Sequence, residues 1–174
     1  MSQDNPYLLN IEKIREFLPH RYPFLLVDRI LEVHPVGDIK DLHSDDKLGV
    51  RVKGIKNFTY NEPFMQGHFP NFSIVPGVIL LEAMGQVSSF SVYPYLKDRL
   101  AEVKDDFQVM LIGVDYARFR RPVTPGDTVV MHSEVTKKRG KLWGFRCTAQ
   151  VDGHLVAETE FLANMVAQAE EGKK

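Results

Sequence analysis

Glu82 stands in the run Val78-Ile79-Leu80-Leu81-Glu82-Ala83-Met84, an acid with apolar residues on both sides. Glutamate is seldom buried without a partner. Desolvation disfavours its charged form, which suits a group that must hold a proton and hand it on. At helical spacing Gly85 and Gln86 lie one turn further on and Ser89 two turns on. A strip of small and polar groups therefore crosses an otherwise greasy surface, although a half-exposed Glu at a helix edge would give the same pattern. His68 lies in Gln66-Gly67-His68-Phe69-Pro70, between turn formers. A lone histidine beside Phe is more often a satisfied structural residue, and its order in the chain is what raises its interest. Irregular backbone leads from His68 to Pro76, and Glu82 is six residues beyond Pro76, about 9 Å along a helix axis at 1.5 Å per residue. A loop can fold back over that distance. A neutral imidazole near a carboxyl group makes two proton-transfer groups with separable roles. Gly77 is the third element. In a first helical turn its N–H has no internal acceptor, and the helix dipole adds positive potential. With no side chain to block approach, that N–H suits a carbonyl oxygen that becomes an enolate; a glycine kept for loop geometry reads the same way.

The elements that must position these groups follow from periodicity. Ile11, Ile14, Phe17 and Leu18 share a helical face with Asn10 as N-cap, so a helix is expected within 8–20. Residues 24–33 read as a strand or strand entry, 35–47 as an exposed polar loop, and 50–60 as strand again. His43-Ser44-Asp45-Asp46 could be imagined as metal ligands, but no second ligand cluster accompanies them and a solvated loop is the simpler reading. Pro76 suits a helix start. One long buried helix is expected from there to about Tyr93, with Pro94 stopping it or following soon after. Residues 109–114 form a candidate strand. Val129, Met131, Ser133 and Val135 alternate with exposed-type residues, as do Trp143, Phe145, Cys147, Ala149 and Val151, and 155–165 is a further run. Lys138-Arg139-Gly140-Lys141 and Asp152-Gly153 are hairpin turns. One buried helix on an antiparallel sheet is an α+β domain, here a single domain over residues 1–174 with a frayed tail at 168–174.

Composition bounds the function classes. A net charge of -1 gives no bulk attraction to nucleic acid or membrane. The single cysteine, Cys147, excludes an intrachain disulfide and a multi-thiolate zinc site. The longest apolar run, near 74–96, is interrupted by Pro76, Glu82, Gln86 and Pro94, so no membrane span is expected. The first residues lack the basic start and apolar core of a signal peptide, and a cytoplasmic protein is the simplest reading.

At these residues the chain resembles the (3R)-hydroxyacyl-[acyl-carrier-protein] dehydratases of type II fatty-acid synthesis, which are hot-dog-fold enzymes. The motifs run in order from about Leu18 to Ala163: Leu18-Pro19-His20-Arg21-Tyr22-Pro23-Phe24-Leu25-Leu26-Val27-Asp28-Arg29, Asn61-Glu62-Pro63-Phe64, Gly67-His68-Phe69-Pro70, Ile74-Val75-Pro76-Gly77-Val78, Glu82-Ala83-Met84-Gly85-Gln86, and Ala117-Arg118-Phe119-Arg120-Arg121-Pro122-Val123-Thr124-Pro125-Gly126-Asp127. The resemblance implies a central helix wrapped by the sheet, two subunits joined edge to edge as a homodimer or a trimer of dimers, and His68 of one subunit working with Glu82 of the other. It implies that His68 takes the α-proton, that Glu82 protonates the leaving hydroxyl, and that Gln86 positions that group or the product water. Gly77 would hold the thioester carbonyl, and Val78 and Phe69 would join Gly77 and Gln86 in contacting substrate. No metal or redox cofactor is implied, because the thioester itself acidifies the α-carbon. The acyl tail would run down an apolar tunnel beside the helix, and the partner would be an acyl carrier protein. Glu rather than Asp at position 82 resembles the branch that only dehydrates.

Three departures stand out. Asn71-Phe72-Ser73 replaces the family's usual glycine, often basic residue, and proline; the 35–47 loop is longer than usual; Gly85 replaces an alanine and weakens the helix slightly. Arg118, Arg120 and Arg121 make a basic cluster suited to an acidic partner, although Asp115 and Asp127 are near enough in sequence to pair with them. Alternation puts Arg118 and Arg120 on one face and Arg121 on the other. The rival readings are a hot-dog acyl thioesterase, which has no need of His68 in its loop, and a non-catalytic acyl-binding protein, which has no need of the ionisable pair.

Overall fold

The computed structural model describes residues 6–103 and 107–167; the tail expected at 168–174 lies outside them. Six antiparallel strands, β1 (Arg29–His34), β2 (Arg51–Asn57), β3 (Phe107–Phe119), β4 (Thr128–Arg139), β5 (Leu142–Val151) and β6 (His154–Ala167), form one sheet in the order β1-β2-β4-β5-β6-β3. The sheet packs on helix α2 (Gly77–Ser89), whose Leu80, Ala83, Met84 and Val87 enter the core. Sheet and helix come close at Gly54 of β2. A Cβ built there would lie 2.9 Å from Val87 Cγ2 and 3.2 Å from the Arg29 carbonyl oxygen. Backbone cannot yield as a side chain can, so Gly54→Ala should cost about 1–3 kcal/mol, read as a lower urea midpoint at unchanged m-value.

The hairpins form as the turn residues dictate. Asp152 (φ 48°) and Gly153 (φ 76°) both take left-handed backbone between β5 and β6, as a two-residue hairpin loop requires. The alternations read in β4 and β5 are the buried positions Val129, Met131, Ser133 and Val135, and Trp143, Phe145, Cys147 and Ala149. Strand β3 is longer than the expected 109–114. Its Asp115 to Phe119 half is largely exposed and carries no alternation, but it is held by the ladder to β6 through Ala117↔Thr159 and Phe119↔Ala157.

Other departures have local causes. Helix α1 (Ile11–Phe17) is shorter than 8–20. Asn10 caps it by accepting from the Lys13 N–H at 3.1 Å, and Leu18 is extended (ψ 136°) because Pro19 disfavours helix before it. Helix α2 ends at Ser89 rather than near Tyr93. A 3₁₀ turn (Phe90–Val92) follows, and Pro94 lies in the first turn of a new short helix (Tyr93–Leu96), so it starts a helix instead of stopping one. Residues 24–28 are not strand, because two of their backbone groups bond to the α2 side chain Gln86. The 35–47 loop is not solvated throughout. Lys47 is fully buried against Asp46, with its ammonium 4.8 Å from the centre of the Tyr95 ring, and the Tyr95 hydroxyl donates to Val36 O at 2.6 Å. Among the described residues, no helix is long and apolar enough to cross a membrane, and no group of three His, Cys, Asp or Glu could hold a metal ion.

Candidate active site

His68 is fixed by the loop around it. Its backbone N–H donates to Phe64 O at 3.0 Å, and its carbonyl accepts from Ile74 N at 3.1 Å. Phe69 N and Phe72 N each donate to the other's carbonyl, closing a tight turn, and the Phe69 ring stacks on the imidazole at 4.1 Å. His68 Nδ1 lies 3.0 Å from the Ile74 carbonyl oxygen. A carbonyl can only accept, so the proton of the neutral ring belongs on Nδ1. Nε2 then carries a bare lone pair, the form a general base needs.

His68 lines a cleft of about 490 Å³ with Pro76, Gly77, Val78, Phe119 and Arg120. Gly77 is the first residue of α2, as expected, and Val78 beside it is 68% exposed. The approach to Gly77 is less open than its lack of a side chain suggests. A Cβ there would meet the Phe119 ring at 2.7–2.9 Å, so the glycine makes room for that ring.

Glu82 lines a different cavity of about 70 Å³, with His20, Gly85, Gln86, Ser89, Leu111 and Phe161 among its walls. Glu82 is half-buried rather than sealed, and Gln86 Nε2 donates to its Oε1 at 2.9 Å. The same Gln86 amide donates to Phe24 O at 2.8 Å, and its Oε1 accepts from Leu26 N at 2.8 Å. Gln86 thus ties the 24–26 segment to the helix and aims Glu82. Both of its N–H groups are committed to protein, and Oε1, which accepts one bond, keeps a lone pair for a hydroxyl or a water. Gly85 opens onto the cavity, since a Cβ there would meet nothing within 4 Å. The substitution that weakens the helix also widens this space.

The sequence reading did not single out His20, which comes to 3.5 Å from Glu82 Oε1 through Nε2. The available signal was its place in the Leu18-Pro19-His20-Arg21 motif, directly after a helix stop. The basic cluster is partly neutralised, though not by the carboxylates nearest in sequence. Arg120 pairs with Glu158 on β6, whose carboxylate also accepts from the Tyr116 hydroxyl. Asp127 instead accepts from Thr124 N and Oγ1.

His68 and Glu82 of one chain therefore line separate cavities, and β3 runs past both. Val109, Leu111 and Val114 wall the Glu82 cavity, and Phe119 walls the His68 cleft. In the ladder β3 is an outer strand, paired to β6 along one edge.

The FabA-like domain model matches residues 18–160. A 3-hydroxyacyl-[acyl-carrier-protein] dehydratase FabZ of Anaeromyxobacter dehalogenans (strain 2CP-C) is 44% identical over 169 residues, 97% of this chain and 97% of that protein. Its namesake from Thiobacillus denitrificans (strain ATCC 25259 / T1) is 39% identical over 160 residues, 90% of this chain and 97% of that one. Among solved structures, the dehydratase heterocomplex ApeI:P from Xenorhabdus doucetiae matches with a TM-score of 0.61 at 19% identity, covering 87% of this chain and 89% of that one. A hot-dog-like protein from Thermanaerovibrio acidaminovorans matches at 0.55 and 15%, covering 70% and 84%. A point mutant of the fluoroacetyl-CoA-specific thioesterase FlK also matches at 0.55, with 12% identity, covering 70% and 88%. These likenesses fix the hot-dog fold without separating the chemistries it hosts, whereas the family match and the 39–44% identities reach nearly end to end: the chain belongs to the FabA-like domain family.

Proposed function

We propose that this protein is a hydro-lyase that dehydrates (3R)-hydroxyacyl-[acyl-carrier-protein] to the trans-2-enoyl thioester in fatty-acid synthesis, with His68 as base and Glu82 as acid. The observation that carries the reading is the Nδ1 contact to Ile74 O, which leaves His68 Nε2 free to accept a proton. Nε2 takes the proton from the α-carbon next to the thioester carbonyl. Negative charge moves to the carbonyl oxygen, where the Gly77 N–H and the N-terminus of α2 stabilise it. The electron pair returns to form the carbon–carbon double bond, the β-hydroxyl leaves, and Glu82 supplies the proton that makes it water. Val78 and Phe69 flank the reacting end, and the acyl tail runs beside α2 past Gly85. No step calls for a metal or a redox cofactor.

The two cavities of one chain are reconciled by a second copy. Along β3, Leu111 is 59% and Ile112 54% exposed, and an outer strand with unpaired backbone groups is a template for pairing. An antiparallel β3–β3 contact about a two-fold axis near Gly113 and Val114 lays the Val109 end of one strand opposite the Phe119 end of the other. That brings the His68 cleft of one copy to the Glu82 cavity of the next. Three such dimers can assemble further.

Incubation with 3-hydroxyacyl-carrier thioesters of several lengths, followed by mass analysis and a free-thiol assay, tests the reaction. The expected result is loss of one water with no thiol released. Thiol release without dehydration would establish the thioesterase alternative, and no change in substrate would leave only binding. The carrier is acidic, and Arg121, free of the Glu158 pair that occupies Arg120, is the better candidate to meet it. Arg121→Glu should raise KM for carrier-bound substrate several-fold, and less so at high salt. A pantetheine thioester should be turned over as before. Equal loss on both substrates would mean that Arg121 holds the fold or the site together.

A further inference from the structure

The segment that carries His20 is clamped at both ends. The Arg21 guanidinium donates to three backbone carbonyls, those of Leu18 (2.8 Å), His20 (2.7 Å) and Arg15 (3.1 Å). Further along the segment, the Gln86 side chain holds Phe24 O and Leu26 N. The loop is thus fixed first to the end of α1 and then to the helix that bears Glu82. His20 Nε2 ends 3.5 Å from Glu82 Oε1. Its other ring nitrogen, Nδ1, is buried and has no hydrogen-bond partner among the described residues.

That unpartnered nitrogen decides between explanations for the imidazole. If the ring were there to fill space, an apolar ring of the same size would do so without burying an unsatisfied polar atom. If it were there to tie loops together, Nδ1 would have a partner, as the ring nitrogen of His68 has in Ile74 O. Among the described residues, the one polar contact that accounts for a histidine at this position is the one to Glu82. Burial holds His20 below the ordinary histidine range; Glu82 opposes this and Arg21 adds to it. The ring is then neutral near pH 7 and has a single proton to place. On Nδ1 that proton would meet nothing; on Nε2 it faces a carboxyl oxygen.

Building on the dehydratase reading above, we propose that His20 is a positioning residue which, with Gln86, presents two N–H groups to Glu82 Oε1 and so fixes the acidic proton on Oε2. An oxygen that accepts from two donors is the carbonyl-type oxygen of the protonated acid, and the transferable proton is left on the other. When Glu82 gives that proton to the departing hydroxyl, its carboxylate becomes charged and both N–H contacts strengthen. The help from His20 therefore grows along the reaction and falls on turnover rather than on substrate binding.

The test uses the full-length protein in its native assembly, with its thermal unfolding midpoint checked for each variant. His20→Phe keeps the ring volume and removes the donor. It should lower kcat about 10–100-fold, the span that a hydrogen bond to a charged group commands, with KM within about threefold. His20→Gln carries an amide N–H that reaches Oε1 and should restore kcat to within about fivefold of wild type. In a Glu82→Gln background, His20→Phe should change the residual rate by less than about threefold, since the group it serves is gone. Should His20→Phe not fold, His20→Asn takes its place, being polar but one methylene too short. Unchanged kcat in His20→Phe, failure of the Gln variant to rescue, a loss confined to KM, or the same loss in both backgrounds would each overturn the role given to His20. Near-normal turnover in Glu82→Gln alone would instead overturn the assignment of Glu82, so the two failures are told apart.

Discussion

Glu82→Gln and His68→Ala should each lower turnover by about 10²–10⁴-fold, the usual contribution of a general acid or base, in proteins that remain folded. The two substitutions remove different things. Gln at position 82 keeps the shape of the side chain, and its amide oxygen can take the place of Oε1, accepting from Gln86 Nε2 as the carboxyl does at 2.9 Å. Only the ability to give up a proton is lost. Stability should stay within about 0.5–1 kcal/mol of wild type, because no buried group loses its partner. His68→Ala removes the bond to Ile74 O and the stacking on Phe69. About 1–2 kcal/mol of stability is expected to go with them, too little to unfold a typical domain. In both variants kcat should fall much further than KM rises, since the groups act on protons in flight rather than on the bound thioester. Turnover near the wild-type rate in either variant, measured as enoyl thioester formed per chain, would remove that residue from the mechanism.

Why the sequence disclosed some of this and hid the rest is a matter of range. Glu82 was visible because its anomaly is local: an acid in an apolar run is out of place whatever the rest of the chain does. The two-residue turn at Asp152 and Gly153 was visible for the same reason, since left-handed backbone is written in the residue types themselves. The motifs from Leu18 to Asp127 made the hot-dog fold legible through resemblance, which no periodicity in 107–119 could have done alone. What stayed hidden depends on contacts between distant segments. His20 reaches Glu82 from 62 residues away, Gln86 uses its side chain to replace the strand bonds that 24–28 lack, and Phe119 folds over Gly77 from β3. Lys47 looked like one more solvated charge and is buried against Asp46 and Tyr95. The proposed pairing of His68 with Glu82 across subunits enters only through the resemblance, because a relation between two chains leaves no pattern within one.

That pairing leads to the other large effect. Mixing inactive His68→Ala with inactive Glu82→Gln subunits should restore activity to roughly a quarter of the wild-type value per chain. Random exchange in an equal mixture makes half of the dimers mixed, and in a two-fold dimer with shared sites one of the two sites then regains both groups. Starting from variants depressed about 10²–10⁴-fold, the recovery is one to three orders of magnitude above either parent. The motivation is geometric. Within one chain His68 lines one cavity and Glu82 another, and the outer strand β3 contributes walls to both. If both groups of a working site came from one chain, no mixture could complement, since every chain would still lack one of its own pair. Exchange must be demonstrated, for example by mass difference between isotopically labelled and unlabelled parents after brief dilution and reconcentration. A mixture that exchanges and stays inactive would refute the shared site. Charge on the strand gives the converse result. Ile112→Glu places a carboxylate opposite Asp115 of the other copy across the proposed two-fold axis, where like charges repel, so the variant should sediment as a smaller species and lose turnover. Adding it as a third component should rescue neither parent, because a chain that cannot pair through β3 has no partner to lend its His68 or its Glu82 to.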